Sequence, residues 1–115
     1  MILTAQQILD CEDLTERLLP VPEWGGEVKL RAFTKAQEQE LRNAAKVAGE
    51  IDSDRLEVLM LVYGLAEPSF TVAQAELLRQ KSAVAFDRVF KAILTLNSMD
   101  DGAVEKAVDR FPEQS

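Results

Sequence analysis

The stretch LLPVPEWGGEVKLRAF, residues 18–33, decides the fold, because its apolar residues alternate with a period of two. The chain on either side follows helical spacing instead. If Val21 faces Leu30 across a turn, the alternating apolar residues share one face, whereas the prolines and the two basic residues lie on the other. The shared face carries Leu19, Val21, Val28, Leu30 and Ala32. The stretch therefore predicts a two-stranded antiparallel β-hairpin with one buried and one solvated face.

Two turns fit this register: a two-residue turn at Gly25 and Gly26, or a four-residue loop over residues 24–27. The two-residue turn would place Pro20 and Pro22 at ladder positions that need an N–H group, which proline lacks. The four-residue loop points both ring nitrogens away from the partner strand. The prolines therefore favour the longer loop, and they predict that the first strand is a sheet edge blocked against further pairing.

Helix-start signals divide the rest of the chain into short helices. Thr4, Thr34 and Thr71 are each followed three residues later by glutamine, which is the capping-box pattern. The first box predicts a short helix with a small apolar face. The second predicts a helix over residues 35–48 that Gly49 would end, and the third predicts another short helix.

The most apolar segment, LEVLMLVYGL at residues 56–65, predicts a central core helix. Asp52 or Ser53 would cap the start of this helix, and Gly64 would close it. A helix that is apolar nearly all round is buried on most of its surface, so we expect the other elements to pack around this one.

A longer helix begins at Ser82 and stops at Asn97. Its apolar residues are spaced for one buried stripe. The stripe consists of Phe86, Val89, Phe90, Ile93 and Leu94. Ser98 with Asp101 then predicts the start of a last helix that runs through Asp109.

These elements predict an α+β fold that is mainly α, with five or six helices and one N-terminal hairpin. The 115 residues, 47% of them apolar, fit a single domain able to bury its own core. We expect the hairpin at about residues 18–33 and the helical part at about residues 34–110 of this one domain, residues 1–115.

The charge balance narrows the range of partners. Lys and Arg total 13 against 20 Asp and Glu, so the formal net charge of −7 repels nucleic acid and anionic lipid alike. The longest apolar run, residues 58–66, is about half of a membrane span. The first residues carry no basic region of the kind that opens a secretion signal. We therefore expect a soluble cytoplasmic protein that binds neither nucleic acid nor membrane.

Residues for catalysis or metal binding are scarce in the sequence. The chain has no histidine and one cysteine, Cys11, which excludes a disulfide framework, a zinc cage and the usual nucleophile–histidine pairs. Asp52 and Asp54 are interpreted as helix-cap residues rather than metal ligands. The acidic residues 10–16 are interpreted as a solvated stretch. We expect no enzymatic activity and no cofactor or metal.

Trp24, the only tryptophan, allows two interpretations. It folds back over its own prolines, or it is an exposed anchor for a partner. The second is favoured, since a glycine-rich tip beside a charged strand face offers Trp24 little of its own protein to pack against. Because the prolines block the first strand, assembly would use the edge at residues 28–33 or Trp24 itself. The candidate interaction residues are Pro22, Trp24, Val28, Leu30 and Phe33.

Three segments, in order, resemble the tail assembly chaperones of long-tailed siphophages: LTAQQIL, VPEWGGEVKLRAFTKAQ and PSFTVAQAELLRQKSAVAFDRVFKAILTLNSM. Together they cover most of the chain. The residues that match the family pattern are Thr4 with Ile8 and Leu9, Pro22 to Gly26 with Val28, Leu30 and Arg31, Phe70 and Thr71, Leu78 with Lys81 and Ser82, and Leu96 with Asn97. The stretch LAEPSF departs from the acidic, glycine-containing turn that the family often has there.

The resemblance implies a non-catalytic role in tail morphogenesis. Such chaperones bind the long, apolar, helix-rich tape measure protein and keep it soluble until tail tube subunits polymerise around it. The tape measure protein is then the expected partner, with the tail tube protein and self-association as further candidates. The protein would act in the cytoplasm of the bacterial host and be missing from the mature virion. The net charge of −7 suits this role, because it would help to keep a complex with an apolar client in solution.

A second hypothesis is an acidic secretion-type chaperone or adaptor, which would bind an extended effector segment as a dimer. Neighbouring genes distinguish the two. A tube protein gene upstream and a very long tape measure gene downstream favour the phage hypothesis, whereas an adjacent effector gene favours the other.

Overall fold

The structure, a computed structural model, describes residues 1–99. Five α-helices and five short strands in this range form an α+β fold that is mainly α, which confirms the predicted fold class. In chain order they are α1 (Ala5–Asp10), β1 (Glu16–Val21), β2 (Gly26–Arg31), α2 (Lys35–Ala44), β3 (Lys46–Val47), β4 (Glu50–Ile51), α3 (Ser53–Gly64), β5 (Leu65–Glu67), α4 (Val72–Leu78) and α5 (Ala83–Leu96). The predicted last helix lies, from residue 100 onward, outside the described residues. No helix among residues 1–99 is long and apolar enough to cross a bilayer.

The predicted helix starts are confirmed at all five helices. At Thr4, Thr34 and Thr71 the hydroxyl accepts a hydrogen bond from the N–H of the glutamine three residues on, whose side chain accepts from the threonine N–H. The Asp52 carboxylate and the Ser82 hydroxyl each accept a backbone N–H in the first turn of α3 and α5. Each cap satisfies an N–H group that has no partner within its helix.

The β1–β2 hairpin buries the predicted face, but its two strands pair in a different register from the predicted one. Val21 lies opposite Gly26, so the loop is residues 22–25 rather than 24–27. Pro22 opens a single 3-10 turn, and Gly25 closes it with a left-handed φ of 80°. The predicted loop length of four is confirmed, and its predicted position is wrong by two residues. The faces are unaffected because an even shift preserves the alternation of side chains.

The predicted two-stranded hairpin is confirmed, and β5 adds a third strand that the sequence did not predict. β5 pairs antiparallel with β2, which gives the strand order β1-β2-β5. β1 is an edge strand, as predicted. The Ala32 N–H donates to the Thr15 carbonyl, so these two residues form a hydrogen-bonded pair. Hydrogen-bonded and non-hydrogen-bonded pairs alternate along an antiparallel ladder, so Pro20 lies in a non-hydrogen-bonded pair. The Pro20 nitrogen is therefore turned away from β2.

Helix α2 ends at Ala44, four residues before the predicted end. The chain then forms a small hairpin of β3 and β4, in which Ala48 and Gly49 both adopt positive φ, 55° and 84°. Two consecutive left-handed residues are typical of a tight type I′ hairpin turn. Gly49 therefore closes this hairpin, and the prediction that it ends the helix is wrong.

The core lies between the inner face of the three-stranded sheet and the helices α2, α3 and α5. Leu19, Val21, Val28 and Leu30 are buried on the sheet side. α3 contributes Val58, Leu59, Met60, Leu61 and Gly64, and α5 contributes Ala85, Phe86, Val89, Ala92 and Ile93. The predicted central helix and the buried side of α5 are thus confirmed. A Cβ on Gly64 would stand 2.7–2.9 Å from side-chain atoms of Ile93, so this glycine allows α3 and α5 to approach closely.

Asn97 ends α5, as predicted, and also connects that helix to the sheet. Its Nδ2 donates to the Ile93 carbonyl at 2.9 Å, and its Oδ1 accepts the Phe33 N–H at 2.7 Å. Ser98 has a φ of 55°, and Met99 N–H returns to the Leu94 carbonyl. Ser98 therefore closes α5, and its predicted pairing with Asp101 lies outside the described residues.

Candidate interaction site

The tip of the first hairpin, residues 22–25, is fastened to α5. The Gly25 N–H donates to the Pro22 carbonyl at 3.0 Å and closes the turn. The Glu23 carboxylate then receives two hydrogen bonds from the guanidinium of Arg88 on α5, one of them 2.8 Å long. A bidentate carboxylate–guanidinium pair fixes orientation as well as distance. The tip is therefore held against the body by a contact between residues 65 positions apart in the chain.

The pair between Glu23 and Arg88 also sets the charge of both groups. Hydrogen bonds from Arg88, and after them a backbone hydrogen bond at Glu23, lower the pKa of the Glu23 carboxyl below its ordinary value of 4.5. The same hydrogen bond raises the pKa of Arg88. Both shifts favour the charged forms. The contact is therefore an ion pair at neutral pH.

Trp24 packs on its own protein. Its side chain is partly buried against the hydrophobic core, and its Nε1 is buried without a hydrogen-bond partner among the described residues. The expectation that the tip offers Trp24 little to pack against is therefore wrong. Apolar packing therefore holds the indole, since its N–H contributes no hydrogen bond within residues 1–99.

Three of the other predicted interaction residues are core residues. Val28, Leu30 and Phe33 have exposed fractions of 7%, 0% and 9%. With Trp24 they belong to one hydrophobic cluster, whereas Pro22 is exposed at the start of the tip. The edge of β2 at residues 28–33, proposed for strand addition, is partly occupied by β5, which pairs with Lys29 and Leu30. A partner could reach little of these side chains, and their contact role stays a prediction.

Other surfaces expose large apolar side chains that the sequence did not single out as interaction residues. On helices they are Ile8 and Leu9 of α1, Val72 and Leu77 of α4, and Val84 of α5. On strands they are Leu18, Val47 and Ile51. A helical wheel of α5 could have identified one of these exposed side chains from the sequence. On the wheel, Val84 lies on the same side as Arg88 and Lys91 and away from the buried stripe.

The arm, residues 1–13, is the clearest of these surfaces. It contains α1, and no residue of that six-residue helix is buried. Leu3 and Ile8 occupy the two positions of a hydrophobic staple around the Thr4 cap, and both are about half exposed. Leu9 is 76% exposed. The arm thus presents apolar side chains that the described part of the chain leaves uncovered.

Asp52 and Asp54, two of the acidic residues considered as metal ligands, each contact another group of the fold. Asp52 caps α3, and the Asp54 carboxylate lies 3.6 Å from the guanidinium of Arg79 at the end of α4. Cys11 is exposed directly after α1, where its Sγ contacts the Ile8 carbonyl at 3.1 Å. Within residues 1–99 no group of three acidic or cysteine side chains is arranged to hold a metal ion.

Known proteins offer no relative from which a role for these surfaces could be taken. No protein-family model matches the chain, no curated protein matches its sequence and no solved structure matches its fold.

Proposed function

We propose that this chain is a tail assembly chaperone of a long-tailed phage or prophage. It binds the tape measure protein, keeps that apolar helical client soluble during tail morphogenesis, and performs no catalysis. The tail tube protein is a second partner in the proposal, and the site of action is the cytoplasm of the bacterial host.

The observation that carries the proposal is that segments of the family resemblance far apart in the chain contact one another. The tip in the second segment is joined to α5 in the third by Glu23 and Arg88. At the C-terminal end of the same helix, the Phe33 N–H donates a hydrogen bond to Asn97 Oδ1 at 2.7 Å. The two contacts join segments of the resemblance that are 65 and 64 positions apart in the chain, which supports treating them as parts of one pattern.

The surface chemistry also supports binding of an apolar helical client. Leu9, Leu77 and Val84 are exposed on three different helices, and the chain as a whole carries a charge of −7. Exposed apolar side chains at helical positions suit an amphipathic partner helix. The surplus negative charge would keep a complex with such a partner in solution.

The charged contacts named next hold the fold together, and the proposal assigns no catalytic step to them. Glu23 with Arg88 fastens the tip, Asp52 caps a helix and Asp54 accompanies Arg79. Each of these contacts has a structural purpose that accounts for the residues involved.

Co-expression with the tape measure protein encoded beside this gene tests the proposal. The soluble fraction of the tape measure protein should rise well above that of the protein expressed alone, and the two should copurify. An unrelated acidic protein of similar size is the control for charge alone. A soluble fraction that does not change, or that the control raises equally, would contradict the proposal. A secretion-type adaptor would leave the tape measure protein insoluble and bind an effector segment instead.

A further inference from the structure

We draw no further inference here: the strongest candidate, the outer edge of β1, where the register turns the N–H groups of Glu16 and Leu18 away from β2, carries no proposal because nothing in the structure shows what covers it.

Discussion

The hairpin tip and the arm look alike in sequence and differ in the structure. Each is a short segment with a capping or turn motif, apolar residues and acidic neighbours, and each contributes to the family resemblance. The tip is fixed to α5 by Glu23 and Arg88, and Trp24 packs into the core beside it. The arm has a complete capping box, and no residue of its helix is buried.

The difference teaches that a residue type does not by itself mark an interaction site. Trp24 is the kind of residue that binding hot spots favour, but here it covers its own core. Leu9 is an ordinary leucine, and it is exposed. What separates them is whether a distant element of the same chain supplies a partner. The tip has α5, and the arm has none among the described residues.

Replacement of Trp24 by alanine should have the largest effect on stability. Trp→Ala in a core costs about 3–5 kcal/mol, and Trp24 is only partly buried, so we expect a loss of about 2–3 kcal/mol in the free energy of unfolding. Urea denaturation measures it. Trp24→Phe is the matched control, because it keeps a ring and removes the unpaired Nε1, and it should cost clearly less. A stability equal to that of the natural chain would mean that the tip is not packed as described.

Loss of the Asn97 side chain should have the next largest effect. Asn97→Ala leaves the part-buried Phe33 N–H without its acceptor, at a cost of about 1–2 kcal/mol. Thr95→Ala on the exposed side of the same helix is the control, and chemical denaturation of both variants provides the comparison. Equal stabilities would show that the sheet is not tied to α5 at this end.

Acid should release the tip without affecting the arm. The folded-state pKa of Glu23 lies below its unfolded value, so the ion pair stabilises the fold above about pH 4.5 and this contribution is lost as the pH falls through the lowered pKa. The melting temperature of Glu23→Gln should therefore lie below that of the natural chain at pH 7, and the two should converge in acid. Glu27→Gln, at an exposed position of β2, is the control. A difference that persists unchanged at pH 3 would show that the contribution of Glu23 is not ionic.

Substitution in the arm should have the smallest effect on stability. Leu9→Ser removes an exposed apolar side chain, and surface substitutions usually change the free energy of unfolding by less than about 0.5 kcal/mol. The measurement is a thermal melt in dilute solution. A loss comparable to that of Trp24→Ala would mean that the arm packs on the body, and the contrast between the two regions would disappear.

The sequence predicts the local features of this fold well. Capping boxes at Thr4, Thr34 and Thr71 identify helix starts because the cap and its glutamine lie three residues apart. The buried face of the hairpin was also predictable, since alternation survives an even shift in register. Asn97 marked the end of α5 for an equally local reason.

The features that the sequence missed depend on distant partners or on very short segments. β5 has three residues and β3 has two, too few for an alternation signal. The docking of the tip requires Arg88, which no local pattern relates to Glu23. The packing of Trp24 was missed for the same reason, because the core residues that it contacts lie on distant elements of the chain.

Suppression of client aggregation tests the proposed chaperone function most directly. Purified tape measure protein is diluted from denaturant into buffer with increasing amounts of this chain, and light scattering is recorded. If the chain is a tail assembly chaperone, scattering should fall as the chain approaches equimolar amounts, and a soluble complex should be recovered. Scattering that is unaffected, or that an unrelated acidic protein of the same size lowers equally, would contradict the function proposed here.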